Sequence, residues 1–291
     1  MSITSLLLGK RKITDDYLFL KSRAPIRSIP WRLNAVVQRK ITGDHIYLEA
    51  GAGKPIIFCH GLFGGIFNID TVCKEIAKEY RFIMPYLPMY DMALMDCTVQ
   101  KLGDYLDSFI HDLGLTEAVV IGSSMGGGTA LYYACKPGNK LKGMVLCGSS
   151  GLSTIPLAKG FFKRKNYDFV KEATSDIFYD RSIPPDEMVM DVFNAIQNTE
   201  VVLRSIRFTK SATNRRMNTE LPGIHIPTLL VWGKQDPITP VEVAPQFQHL
   251  LPDASLYIIN ECGHVPMQEK PFQFLEYFFE FMKKIKYSSC H

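Results

Sequence analysis

Short apolar runs alternate with helical patterns along the chain, and this alternation restricts the fold more than any other feature of the sequence. The runs IIFC, RFIM, AVVI and GMVLC each have the length and apolar character of a buried strand, and the patterns between them have helical spacing. A hairpin pattern with a TGDH turn precedes them at residues 37–49, and the runs TLLVW and SLYII follow later. Strands that alternate with helices indicate a mostly parallel sheet covered on both faces. We therefore predict a doubly wound α/β fold with eight strands.

The alternation stops between residues 151 and 222, where the pattern is helical and contains no strand-like run. An insertion of about 70 residues is too long for a loop. We therefore predict a helical cap of residues 151–222 that lies over one edge of the sheet. The α/β core would then consist of residues 37–150 and 223–291. Residues 1–36 form an N-terminal extension for which the sequence indicates no role.

Charge and cysteine usage exclude several classes of protein. The formal net charge is +4, from 33 basic and 29 acidic side chains, and no basic block is long enough to indicate a nucleic-acid surface. The seven cysteines lack metal-ligand or redox spacing, which predicts a cytoplasmic protein without a metal or cofactor. No apolar run approaches the roughly 20 residues of a membrane span. We expect a monomer or homodimer that binds a small-molecule substrate and makes no stable membrane insertion.

The stretch VVIGSSMGGGTAL places two serines and several glycines between a strand pattern and a helix pattern. It contains one G-x-S-x-G sequence, centred on Ser124. A serine in this position occupies a strained strand-to-helix turn that exposes its hydroxyl. Ser123 does not fit, because Ile121 and Met125 would take the glycine positions. A glycine-rich turn or a phosphate-binding loop is the alternative, but no Lys-Ser or Lys-Thr pair follows the glycines, as a phosphate loop requires.

Two later strand ends carry the partners that a nucleophilic serine needs. Asp236 follows one strand in WGKQDP, and His264 follows the last strand in ECGHVP. The chain order serine, aspartate, histidine is the order expected when the strand-to-helix turn comes first. Asp253, His249 and His225 fit less well, because they lie in a helix-to-strand connection, at a helix end and ahead of a strand. We predict that Asp236 orients His264, which acts as the base.

A glycine-rich turn, HGLFGG, follows the strand that should neighbour the serine strand. Acyl transfer requires hydrogen-bond donors aimed at the oxyanion that develops in the transition state. We predict that the backbone N–H groups of Leu62 and Met125 form this oxyanion hole. The ring of His60 is expected to brace the turn and to take no part in proton transfer.

The segments HGLFGG, GSSMGG, WGKQDPITP and CGHVPMQEKP together resemble the α/β-hydrolase superfamily, and the resemblance covers residues 37–286. It implies a catalytic triad on an α/β core with an inserted cap. Within the superfamily, the chain resembles cap-bearing serine esterases and the carbon–carbon bond hydrolases of aromatic ring-fission products. It departs from the latter group in YLPMYDMA, where Asp91 stands in place of an asparagine, and after His264, where a tryptophan is expected.

The substrate is expected to lie in an apolar site under the cap, beside one acid. The candidate residues are Phe63, Asp91, Phe161, Phe162, Phe178 and Val265. If Asp91 faces the site, its carboxylate repels the carboxylate of a ring-fission dienone, which favours an uncharged ester and a carboxylesterase of class EC 3.1.1. A carbon–carbon bond hydrolase of class EC 3.7.1 with the same triad is the first alternative. A catalytically silent binding protein of the same fold is the second.

Overall fold

The computed structural model of the protein describes residues 38–63, 69–152, 163–214 and 216–287. Its centre is an eight-stranded sheet with the strand order β1-β2-β4-β3-β5-β6-β7-β8. The β1/β2 hairpin and the β2/β4 pair are antiparallel, and the other five pairs are parallel. The strands are β1 (Gln38–Thr42), β2 (His45–Ala50), β3 (Pro55–Cys59), β4 (Arg81–Pro85), β5 (Ala118–Ser123), β6 (Leu141–Cys147), β7 (Thr228–Gly233) and β8 (Ala254–Ile259). The predicted mostly parallel sheet is confirmed.

Helices follow the parallel strands, as the alternation of patterns predicts. The helices of the described residues are α1 (Asp70–Ile76), α2 (Val99–Asp112), α3 (Met125–Ala134), α4 (Tyr167–Ser175), α5 (Asp186–Gln197), α6 (Thr199–Asn214), α7 (Ala244–Leu250), α8 (Pro266–Glu269) and α9 (Pro271–Lys284). Short 3₁₀ turns lie at Leu94–Asp96, Leu221–Gly223 and Val241–Val243.

The central strands fill two hydrophobic cores, one on each face of the sheet. Ile57 and Val120 belong to the core that α2, α3 and α7 cover, whereas Ile56 and Val119 belong to the core that α1 and α9 cover. Successive side chains of a strand point to opposite faces. The continuous apolar runs of the sequence therefore supply both cores, and the sheet is covered on both sides.

The segment predicted to be helical contains α4, α5 and α6, which lie between β6 and β7 in the sequence. β6 and β7 are parallel neighbours, so this segment leaves the sheet at the carboxyl end of β6 and re-enters it at the amino end of β7. Phe161 and Phe162 lie outside the described residues, as does the predicted extension of residues 1–36. In the part of the chain that the structure describes, no helix has the length and hydropathy needed to cross a membrane.

Candidate active site

The parallel strands bring their carboxyl ends to one edge of the sheet, where ligands bind in folds of this kind. His60 follows β3, Ser124 follows β5, Asp236 follows β7 and His264 follows β8. Residues that are far apart in the sequence therefore meet at a single edge, as the order of the strand patterns predicts.

Ser124 occupies the turn between β5 and α3 in a strained conformation. Its φ of 53° and ψ of −116° lie outside the regions that side-chain-bearing residues normally adopt. The Ser124 N–H donates to the Cys147 carbonyl at 2.9 Å, and the Ser124 carbonyl accepts from the Ser150 N–H at 3.0 Å. Strain of about 1–3 kcal/mol persists where the surroundings impose it, typically at a functional site.

Two glycines, Gly126 after Ser124 and Gly61 after β3, allow the serine turn to pack closely against the end of β3. A Cβ atom on Gly126 would lie 1.9 Å from the Cys59 carbonyl oxygen, and one on Gly61 would lie 3.1 Å from Ser124 Cβ. Cβ atoms do not make contacts as short as the first of these. Position 126 therefore requires glycine, and the serine turn is fixed against the turn that follows β3.

Asp236 and His264 form a buried hydrogen-bonded pair, each only 6% exposed. His264 Nδ1 lies 2.9 Å from Asp236 Oδ2 and 3.0 Å from Oδ1. The carboxylate also accepts from the Ile238 N–H at 2.8 Å, the Thr239 N–H at 2.9 Å and the Thr239 hydroxyl at 2.7 Å. A carboxylate only accepts, so Nδ1 carries the hydrogen and Nε2 is left as the proton acceptor.

The ionised form of Asp236 is favoured in this environment. Burial alone would raise its pKa, but the charge of His264 and the hydrogen bonds from His264 and Thr239 outweigh burial and lower the pKa below its usual value. An ionised Asp236 stabilises a protonated His264, which is the state that a base reaches after it takes a proton.

Gly148, directly after β6, packs against the Asp236 and His264 side chains. Its φ is +49°, and a Cβ atom there would lie 2.9 Å from His264 Nδ1 and 3.0 Å from Asp236 Oδ2. The backbone of Gly148 therefore lies directly against the Asp236–His264 contact and confines both side chains.

The turn after β3 is held by the His60 ring. Nδ1 lies 2.9 Å from the Gly61 carbonyl, to which it donates, and Nε2 accepts from the Leu87 N–H at 3.2 Å. Burial lowers the pKa of His60 to about 4, against a smaller opposing effect of the Gly61 carbonyl. A neutral ring with one donor and one acceptor nitrogen satisfies both contacts, in agreement with the bracing role predicted from the sequence.

An apolar cavity opens at this edge of the sheet. The described residues that line it are Phe58, His60, Gly61, Leu62, Phe63, Ile69, Ser123, Ser124, Met125, Ile177, Thr209, Ile238, His264, Val265, Met267 and Gln268. The structure thus brings four of the predicted oxyanion-hole and substrate-binding residues, Leu62, Phe63, Met125 and Val265, to the same cavity as the serine and the histidine. Met125 is the first residue of α3, and first-turn N–H groups have no acceptor within their own helix.

Comparison with known proteins identifies the family. The family model described as "alpha/beta hydrolase fold" matches residues 54–271. This range runs from the start of β3 to the beginning of α9 and includes the cavity residues. The chain belongs to the alpha/beta hydrolase family.

Relatives of this alpha/beta hydrolase differ in their reactions. It is 30% identical to the 2-hydroxy-6-oxo-6-(2'-aminophenyl)hexa-2,4-dienoic acid hydrolase of Metapseudomonas resinovorans, over 86% of this chain and 92% of that protein. It is 24% identical to Lipase 1 of Psychrobacter immobilis, over 78% of this chain and 77% of that protein. A solved alpha/beta hydrolase from the sediment metagenome of the lagoon of Mar Chica, Morocco, shares 32% identity at a TM-score of 0.65, over 85% and 98% of the two chains.

Two residues predicted to bind the substrate, Asp91 and Phe178, do not line the cavity of this hydrolase. Asp91 is exposed and does not occur among the described residues that line the cavity. Its N–H bonds to the Pro88 carbonyl in a turn that directs the neighbouring Tyr90 inward, where it stacks on Phe63. Phe178 is only 3% exposed and packs in the hydrophobic core, while the adjacent Ile177 faces the cavity.

The sequence patterns did not reveal several residues of the cavity wall. Ile177, Thr209 and Ile238 come from the segment between β6 and β7 and from the turn after β7. The local sequence gives each the character of an ordinary apolar or helical residue. Within the described residues, no group of histidine, cysteine, aspartate and glutamate side chains is arranged to hold a metal ion.

Proposed function

We propose that this alpha/beta hydrolase is a serine carboxylesterase of class EC 3.1.1 that forms an acyl-enzyme on Ser124. The observation that carries the proposal is the strained position of Ser124 beside the same cavity as His264. His264 is in turn oriented by the buried carboxylate of Asp236. A nucleophile, a base and a residue that orients the base are the parts that acyl transfer requires.

In the proposed reaction these residues act in two stages, acylation and deacylation. Ser124 Oγ attacks the carbonyl carbon of the ester while His264 Nε2 takes the hydroxyl proton. The N–H groups of Leu62 and Met125 donate to the oxyanion that forms. His264 then returns the proton to the alcohol oxygen, and the alcohol leaves. A water molecule, deprotonated by His264, attacks the acyl-enzyme. His264 then gives this proton to Ser124 Oγ as the bond to the acyl carbon breaks, which releases the carboxylic acid and free Ser124.

The cavity supports an uncharged substrate. Its described lining consists of apolar side chains together with Ser123, Ser124, Thr209, Gln268 and two histidines. An apolar wall desolvates what it holds, so a charged group placed against it without a partner is strongly disfavoured. Short aliphatic and aromatic esters match this lining.

The segment between β6 and β7 acts in the proposal as a cap that selects the substrate. Ile177 and Thr209 of this segment line the cavity beside Ser124. Substrate choice would then depend on the size of side chains in residues 151–222, and the chemistry on residues of the core.

Carbon–carbon bond hydrolysis, class EC 3.7.1, is the second candidate. The relative from Metapseudomonas resinovorans is by name a hexa-2,4-dienoic acid hydrolase. The exposed position of Asp91 also removes the repulsion expected between that carboxylate and an anionic dienone. The apolar lining still favours the ester, because the substrate carboxylate of a dienone requires a partner.

The reducing cytoplasm is the proposed location. Five cysteines of the described residues are buried free thiols: Cys59, Cys73, Cys97, Cys147 and Cys262. A chain that forms no disulfide among these residues matches a compartment that keeps thiols reduced.

Labelling and turnover of matched serine variants test the function. Ser124→Ala should lose both p-nitrophenyl ester hydrolysis and reaction with a fluorophosphonate, while Ser123→Ala keeps both. The same preparations are then assayed with one ring-fission dienone. The opposite labelling pattern contradicts the choice of nucleophile. A dienone kcat/KM above that of the best ester supports the second candidate, and failure of wild type to react with any of these compounds indicates a silent binding protein.

A further inference from the structure

The carboxylate of Glu269 joins two separate stretches of backbone next to the candidate active site. Glu269 is the last residue of α8 and lies five positions after His264. Its Oε1 accepts from the Gly263 N–H, and its Oε2 accepts from the Tyr179 N–H at 2.7 Å. One side chain thus binds the loop that carries the histidine and the segment between β6 and β7.

The two stretches also touch directly. The His264 N–H donates to the Ile177 carbonyl at 2.9 Å. A Cβ atom on Gly263 would lie 2.4 Å from the Ile177 carbonyl oxygen and 2.9 Å from Phe178 Cα. The backbones are therefore packed without space for a side chain between them, and Glu269 closes the contact with two further hydrogen bonds. We call residues 177–179, residues 263–264 and the Glu269 carboxylate the histidine joint.

The histidine joint positions two functional elements together. On one side, the backbone of His264 directs the imidazole toward Asp236, 2.9 Å away. On the other side, the Ile177 side chain forms part of the cavity wall. A displacement of the joint therefore moves both the base and the surface against which the acyl group lies.

We propose that Glu269 is a positioning residue that couples the orientation of His264 to the placement of the cavity wall at Ile177. This inference rests on the proposed function, in which His264 acts as the base for Ser124. Glu269 itself does not touch the reacting atoms. Its effect on catalysis is transmitted through the backbone of the loop that carries the base.

The joint requires a carboxylate for a specific reason. Both oxygens of Glu269 accept from backbone N–H groups, and a glutamine has only one acceptor atom. In Glu269→Gln, either the Gly263 N–H or the Tyr179 N–H must face the amide NH₂, which is a donor. The substitution preserves shape and places a donor against a donor. Glu276→Gln, on the exposed side of α9, is the matched control because it makes the same chemical change away from the joint.

The test measures kcat, KM and the rate of fluorophosphonate labelling at temperatures well below the melting of each variant. Glu269→Gln should lower kcat and the labelling rate by about 10²-fold, the typical effect of a displacement of about 1 Å at a reacting group. KM should rise more for a p-nitrophenyl benzoate than for the acetate, because the wall at Ile177 moves. Glu276→Gln should match wild type. A Glu269→Gln protein with lower melting temperature but unchanged kcat and labelling rate overturns the proposal.

Hydrogen exchange of the wild-type protein tests the joint without any variant. Amide protection in residues 177–179 and in residues 263–264 should be lost at the same denaturant concentration, because one opening exposes both. Loss at clearly different concentrations overturns the proposal even if Glu269→Gln fails to fold. Ser124→Ala is measured in parallel. If it retains esterase activity, the proposed function is wrong, whereas the exchange result still decides whether the joint exists.

Discussion

Protonation of the buried His60 should destabilise this hydrolase between neutral and mildly acidic pH. The folded pKa is lowered to about 4 by burial, and an unfolded histidine has a pKa of about 6.5. Between these values the unfolded chain binds more protons than the folded one, so the free energy of unfolding falls as the pH falls. The contribution of His60 is complete above the unfolded pKa and is lost as the pH approaches the folded pKa.

The loss of unfolding free energy can be calculated from the difference between the folded and unfolded pKa values of His60. One pKa unit corresponds to about 1.36 kcal/mol, so lowering the pH from 7 to 5 should cost about 2 kcal/mol through His60 alone. With an unfolding entropy of about 2.1 cal/mol/K per residue over 291 residues, the melting temperature should fall by about 3 °C from this contribution. The structural cause is local, because a charged ring cannot accept from the Leu87 N–H and would break the contact that braces the turn before Leu62.

The assay compares wild type with His60→Gln, which does not titrate, in urea unfolding at pH 7 and pH 5. The variant should start from a lower stability but lose about 2 kcal/mol less than wild type over the interval. His111→Gln is the matched control for the chemical change itself, because the His111 side chain is 88% exposed on the last turn of α2. The reasoning is refuted if the two proteins lose the same stability, or if an NMR titration shows His60 protonating near pH 6.5.

Two further substitutions address the Asp236–His264 pair. Asp236→Asn should keep the fold, as judged by circular dichroism, and lower kcat by about 10⁴-fold. The amide NH₂ would face His264 Nδ1 and favour the tautomer whose Nε2 cannot accept a proton. A kcat within tenfold of wild type would show that another carboxylate orients His264. Gly148→Ala should lower the fluorophosphonate labelling rate at least tenfold, because the added methyl would lie 2.9 Å from His264 Nδ1. A Gly148→Ala protein that labels at the wild-type rate would mean that the pair shifts without loss of function.

The positions of the candidate catalytic residues were predictable because each follows a strand with a strong local signal. The runs before Ser124 and Asp236 are short, apolar and continuous, which indicates strands buried on both faces. The run before His264 is also strand-like, although its strand β8 lies at the edge of the sheet and is mostly half-buried. Parallel strands have their carboxyl ends at one edge of the sheet, so the common direction of β5, β7 and β8 brings the three residues to the same edge. No knowledge of the helices is needed for this step.

The walls of the cavity could not be predicted in the same way. Whether Asp91 faces the site depends on a turn in which the adjacent Tyr90 packs against Phe63, and YLPMYDMA carries no periodic pattern that fixes this direction. The position of Ile177 depends on its backbone contact with His264. That contact joins segments far apart in sequence, and neither segment contains a local signal for the other.

The close contact of Gly126 with the Cys59 carbonyl restricts substitutions in the serine turn far more than in the segment between β6 and β7. Any side chain at Gly126 would collide with the backbone at the end of β3, so substitutions at this position are not tolerated. The serine turn and the turn after β3 can therefore change only together. The segment between β6 and β7 connects two neighbouring parallel strands that pair directly with each other. Its length and composition can therefore change without shifting the register of the sheet. Descendants of such a chain can acquire new substrates while the chemical apparatus stays the same.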